Sequence, residues 1–189
     1  MRRKLIAGAA AAALAGPALL TATAAPARAE QRWLGITMLK QEKSQWCWDA
    51  SGLTIARYFG HTQYSQTDFC DLAAKNSGLS CNNQPATLDD MANAWSNMGF
   101  RSTGQGLSRA ATFNEVGQEI EGIRPVAVRI GWKSGGGHMN VVYGYDPNQS
   151  TVGVGDPWPD TATYTWWDYD AYVNNSSFSW THSRIGETG

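Results

Sequence analysis

Near Arg124 the hydrophobic period of this chain changes, and that switch limits the possible folds more than any other feature. Before it, apolar residues recur at helical spacing in four stretches. Ala50, Leu53, Ala56 and Tyr58 suit a helix packed on one face, with Gly60 as its stop. Ser65 with Asp68 opens a second helix that turns Phe69, Leu72 and Ala73 inward and ends at Asn76-Ser77-Gly78. Thr87 caps a third, with Leu88, Met91, Trp95 and Met98 on one face and Gly99 at its end. Thr112 and Glu115 form a capping box for a fourth, carrying Val116 and Ile120 and ending at Gly122. After Arg124 the pattern alternates. Pro125 to Gly131 reads as a strand, with Val126, Val128 and Ile130 set against Ala127 and Arg129. Lys133 to Gly137 is a glycine-rich turn, and strands follow at His138 to Tyr145, Thr151 to Gly155, Thr161 to Trp167 and Phe178 to Ile185. Asp168 to Asn174 reads as a short helix or turn. Helices first and strands second describe an α+β fold, a helical half packed on a sheet half. No repeat or linker divides it.

The N-terminus stands apart from this pattern. Arg2, Arg3 and Lys4 precede an alanine- and leucine-rich run, and Ala27-Arg28-Ala29 matches an A-x-A cleavage site. Residues 1–29 therefore read as a secretory signal peptide, with the Arg pair a weak sign of twin-arginine export. A mature chain of residues 30–189 is one domain long. It keeps eleven basic residues against sixteen acidic ones, a net charge of −5, with no basic run. Nucleic acid is thereby disfavoured as a partner. After cleavage no apolar stretch is long enough to span a membrane. The three cysteines, Cys47, Cys70 and Cys81, imply one disulfide and one free thiol in a secreted chain.

Cys47 lies in Q-E-K-S-Q-W-C-W-D-A, Gln41 to Ala50, between two tryptophans and at the start of the first helix. The positive end of a helix dipole favours a thiolate there, as nucleophilic catalysis needs. His138 opens a strand straight after Gly135-Gly136-Gly137, where glycines let the backbone run close to a cleft. Gln, five residues, then Cys-Trp at a helix start resembles the papain-like cysteine peptidases, and G-G-H-M-N-V-V-Y-G-Y is similar to their histidine strand. The resemblance covers most of the mature chain in order and is nearest to compact bacterial secreted members without a propeptide. Cys47 is only the eighteenth mature residue, so control is expected from export, a partner or narrow specificity.

The resemblance implies a papain-like α+β fold with the cleft between the two halves. It implies Cys47 as nucleophile, His138 as base, Gln41 as oxyanion donor and Asp156 as the residue that orients the imidazole. Asp146, at the far end of the histidine strand, is the rival for that last role. With Cys47 so employed, Cys70 and Cys81 are the natural disulfide. Asp49 departs from the family pattern, since a carboxylate two residues from the nucleophile works against a thiolate. His61 and His182 read as surface residues, and most of the nine tryptophans as core, with Trp132 and Trp158 candidates for the cleft rim. The function implied is a secreted cysteine peptidase acting on protein or peptide substrates, with no cofactor and no metal. The alternatives are a Cys-His peptidoglycan amidase or endopeptidase, although cell-wall repeats are absent, and a non-catalytic binding protein on the same fold.

Overall fold

The computed structural model describes residues 30–189, so the signal-peptide reading falls outside the described residues. The helical half holds α1 (Cys47–Tyr58), α2 (Gln66–Ala74) and α3 (Leu88–Met98). α2 and α3 begin where their capping boxes place them: Ser65 accepts from the Asp68 N–H, Thr87 from the Asp90 N–H, and each carboxylate bonds back to the cap. Gly99 ends α3 in the left-handed conformation. Phe59, not Gly60, is the C-cap of α1.

α1 is not a one-faced helix. Every residue from Trp48 to Ala56 is buried, because α2 and α3 cover one side and the sheet covers the other. Gly52 makes the close approach to α2 possible. A Cβ there would lie 2.4 Å from the ring of Phe69. The carbonyl of Gly52 accepts the Trp95 indole N–H at 3.0 Å, which ties α3 to the same point.

The sheet half is antiparallel. It comprises β1 (Arg32–Trp33), β2 (Ser102–Leu107), β3 (Val126–Trp132), β4 (Gly137–Asp146), β5 (Thr151–Gly155), β6 (Tyr164–Asp168) and β7 (Phe178–Thr188). Strand order is β2-β7-β3-β4-β5-β6, with β1 paired to the end of β4. α4 (Phe113–Glu121), capped by Thr112, covers β4, and the one-turn α5 (Tyr169–Val173) joins β6 to β7. The segregation of helices and strands is therefore incomplete, since β1 and β2 lie within the helical part of the sequence. β2 escaped the sequence pattern because S-T-G-Q-G-L has no apolar alternation and lies on an exposed edge. Its strand character comes from pairing with β7, Ser102 opposite Thr188 through Leu107 opposite Ser183.

One core fills the space between the halves, including Trp46, Trp48, Phe69, Trp95, Val128 and Val141. The Ser51 hydroxyl on α1 donates to the Met139 carbonyl on β4 at 3.1 Å within it. This bond joins the helix that carries Cys47 to the strand that carries His138.

Candidate active site

Cys47 is the first residue of α1 and a free thiol. Among the described residues, α1 is the one α-helix whose N-cap side chain accepts no backbone N–H; Trp46 stands where the others have Ser, Thr or Asp. The first-turn amides thus lack a side-chain acceptor, which leaves the positive end of the dipole uncompensated at the thiol. Trp46 and Trp48 are fully buried and hold the turn from both sides. Their indole N–H groups donate to the Asn82 carbonyl at 3.1 Å and the Gln84 carbonyl at 3.2 Å. The loop they grip follows Cys81, which is joined to Cys70.

His138 is the second residue of β4 and is almost wholly buried. Its Nε2 lies 2.8 Å from Asp156 Oδ1, and His138 lines the same cleft as the Cys47 thiol. With Nε2 engaged by Asp156, Nδ1 is the nitrogen left for Cys47. Burial of the ring pulls its pKa down, but the bonds to Asp156 and Cys47 and their charge outweigh this and lift it to about 9. Trp132 stacks on the imidazole at 6.2 Å and Trp158 meets it edge-on at 6.2 Å, so both tryptophans screen the His138–Asp156 bond.

Asp156 follows β5. Burial pushes its carboxyl up, but the bond and charge of His138 and the Trp158 N–H at 2.8 Å hold it below the usual carboxylate range. Its loop is pinned to the segment before Cys47. The Lys40 ammonium donates to the carbonyls of Trp158 at 2.6 Å and Thr161 at 3.1 Å, and the Gln41 N–H donates to Pro157 O at 2.9 Å. Asp146, the rival, does turn chemistry instead. Its Oδ1 accepts from the Asn148 N–H at 2.8 Å, next to the β4–β5 turn.

Cys47, His138 and Asp156 thus meet in one cleft; Gln41 does not join them directly. Its side chain is buried, and the amide nitrogen donates to the carbonyls of Lys43 at 2.9 Å and Ser44 at 3.0 Å. Both donor hydrogens are engaged, while Oε1 is buried without a protein partner. Gln45 is the exposed glutamine that lines the cleft beside Cys47 and His138.

Asp49 lies at the back of the nucleophile turn, fully buried, with neither oxygen bonded. Burial above all, with the charge of Glu42 adding and that of Lys43 opposing, lifts its carboxyl to about 9. It is therefore neutral at pH 7 and sets no negative charge against a thiolate.

The cleft has two arms at Cys47. One, of about 430 Å³, runs between Gln45, Trp132 and Trp158. The other, of about 270 Å³, runs past Pro85, Thr87 and Arg129. Trp132 and Trp158 lie on the rim as expected from the sequence, each a little over a third exposed. Arg129 was read only as the polar face of a strand; the signal that could have marked it is a lone cation inside V-A-V-R-I-G. Of the remaining histidines, His182 is exposed, whereas His61 is half-buried and stacks on Phe100 at 5.0 Å.

Comparison with known proteins agrees with this geometry. The chain resembles the peptidase domain of Streptococcus ComA, a bi-functional ABC transporter involved in a quorum sensing pathway, with a TM-score of 0.61 at 20% identity. That likeness spans 79% of this chain and 96% of the other and concerns the fold. No curated protein matches. The family model for the papain-like cysteine protease AvrRpt2 matches residues 30–172, well over half of the sequence. A cysteine at a helix start, facing a histidine on an antiparallel sheet, is the arrangement such a hydrolase requires, and the chain belongs to this family of papain-like cysteine peptidases.

Proposed function

We propose that the chain is a secreted peptidase that cleaves peptide bonds through Cys47, His138 and Asp156, with Gln41 as oxyanion donor. The observation that carries this reading is the 2.8 Å bond from His138 to Asp156 beside a free thiol. His138 takes the thiol proton, and the Cys47 sulfur attacks the substrate carbonyl. The negative oxygen that forms is held by the Cys47 N–H at the uncapped helix start. Gln41 can assist once its amide leaves one of the two carbonyls that it now serves. The imidazolium then protonates the leaving amine, the C–N bond breaks, and a thioester remains on Cys47. Water attacks that thioester, His138 accepts its proton, and the acid product and the thiol are released. Asp156 keeps the ring oriented and favours its charged form throughout.

Residues 1–29 support export as a cleaved signal peptide, and the Cys70–Cys81 disulfide suits an oxidising compartment. Among the described residues no helix is long and apolar enough to cross a membrane. The neutral state of Asp49 removes the main objection to a reactive Cys47, and so weakens the reading as a non-catalytic binding protein. The test is expression of the full chain, with mass spectrometry of the exported protein and a peptide-library cleavage assay. The expected result is an N-terminus at Glu30, peptide cleavage, and fast alkylation of Cys47 at pH 6. Cys47→Ala and His138→Ala should both abolish cleavage. Cleavage that survives either substitution would overturn the assignment.

A further inference from the structure

Arg129 sits at the junction of the 270 Å³ arm, which holds Cys47 and His138, and a larger cavity of about 630 Å³ beyond Thr87. The two cavities share Ala86, Thr87 and Arg129 as walls, so a chain leaving the nucleophile along this arm must pass the guanidinium. The guanidinium is also held in place. Nη1 donates to the Thr181 hydroxyl at 2.9 Å, and that hydroxyl donates to the Arg129 carbonyl at 3.1 Å. Its far end rests over Gly137, the residue before His138. A Cβ at Gly137 would lie 2.8 Å from Nη2 and 2.7 Å from the Ile130 carbonyl, so glycine at this position makes the cradle.

Arg129 lines the cleft without an anion of its own, whereas Arg57, which also bonds no carboxylate, lies away from it and donates to the Tyr64 carbonyl. Arg109, Arg124 and Arg184 each bond a carboxylate, on Glu115, Glu119 and Asp89 respectively. Among the described residues no carboxylate pairs with Arg129, and Thr181 holds only Nη1. Nε and Nη2 remain as a half-buried pair of charged donors at the cleft wall. The other charges along this arm do not neutralise them. Asp89 lines the outer cavity but is bonded to Arg184, and His182 there bonds Thr181. A planar guanidinium with its open edge toward a groove is the side chain best matched to a carboxylate.

We infer that Arg129 determines specificity by binding a carboxylate of the peptide substrate next to the scissile bond. The inference rests on the peptidase reading above. An acidic side chain inside the substrate and the free C-terminus of a short peptide present the same group, and matched peptides separate them. Cleavage sites found with a peptide library are remade as pairs with Glu or Gln at each position near the scissile bond. A second set ends at that position with a free or an amidated terminus. The wild type should cleave one carboxylate-bearing member with kcat/KM roughly 10- to 100-fold above its neutral partner, the worth of a charge-assisted bond. Preference confined to the free terminus identifies the terminal carboxylate, and preference for internal Glu identifies the side chain. In Arg129→Met the ratio should fall to near one, and Arg129→Lys should keep part of it. A wild type that cleaves Glu and Gln peptides equally overturns the inference without any variant, as does a ratio that survives in Arg129→Met. A wild type that cleaves no peptide and does not alkylate at Cys47 overturns the peptidase reading itself.

Discussion

Replacing Asp156 with asparagine should move the alkaline limit of activity. His138 stands at about 9 although burial alone would pull it below the 6.5 of a free imidazole. The net lift corresponds to roughly 3 kcal/mol in favour of the charged ring. The largest contribution to that lift is the bond to Asp156. Asparagine can still accept from Nε2 and from the Trp158 N–H, so the ring keeps its orientation, but the negative charge is gone. A hydrogen bond between charged groups is worth ~1.5–3 kcal/mol against about 1 for a neutral pair. The loss is then about 0.5–2 kcal/mol, or roughly one pKa unit. The alkaline limb of kcat/KM reports the Cys47–His138 pair as a unit and should fall from near 9 to about 8. The assay is kcat/KM for a fluorogenic peptide from pH 5 to 10, with the imidazole shift of His138 followed by NMR in parallel. Folding raises this pKa, so the charged ring stabilises the protein fully below pH ~6.5, and that contribution fades as pH rises through about 9. The variant should lose it at lower pH. An alkaline limb that stays near 9 in Asp156→Asn would refute the assignment of Asp156 as the group that holds the proton on His138.

The glutamines give a second prediction. Gln41→Ala should lower kcat by about 10²–10³ while leaving Cys47 alkylation near normal, whereas Gln45→Ala should matter far less; the reverse order would move the oxyanion donor to the exposed glutamine. Asp49→Asn should raise the melting temperature, by an amount that grows from pH 5 to pH 8. The native carboxyl stays protonated up to about 9, so its ionisation in the unfolded chain costs the native state about 1.4 kcal/mol per pH unit above ~4. A gain independent of pH would show that Asp49 is not a buried acid. Non-reducing peptide mapping should find Cys70 joined to Cys81 with Cys47 free, and Cys70→Ser with Cys81→Ser should destabilise the protein by about 3 kcal/mol in urea unfolding, as expected for an eleven-residue separation. A Cys47 disulfide in that map would contradict its role as nucleophile.

Much of the fold was legible in the sequence because its signals act over a few residues. Ser65, Thr87 and Thr112 each bond an amide three positions on, so they mark helix starts without reference to any other part of the chain. Alternation likewise located β3, strands were also expected where β4 and β7 lie, and Thr151–Gly155 emerged as β5 with the expected bounds. The order of Gln41, Cys47, His138 and Asp156 along the chain, with the glycines before His138, was enough to indicate the papain-like family by resemblance. Tertiary structure decided what depends on distant partners. β1 and β2 are strands only because β4 and β7 lie beside them. α1 is buried all round because both halves close on it, which no helical period could state. The same closure takes Asp49 out of water and so makes it neutral, where the sequence showed only an acid beside a thiol. Spacing placed Gln41 near the nucleophile, but the direction of its amide is set by the carbonyls of Lys43 and Ser44, in a loop whose Gln41 N–H is held to Pro157. Arg129 is an ordinary strand residue in the sequence. Its open donors exist because Thr181 and Gly137, far apart along the chain, meet around it while no carboxylate does. Caps and periods are local free energies written into neighbouring residues; burial, pairing and the direction of a side chain are set by what the rest of the fold brings near.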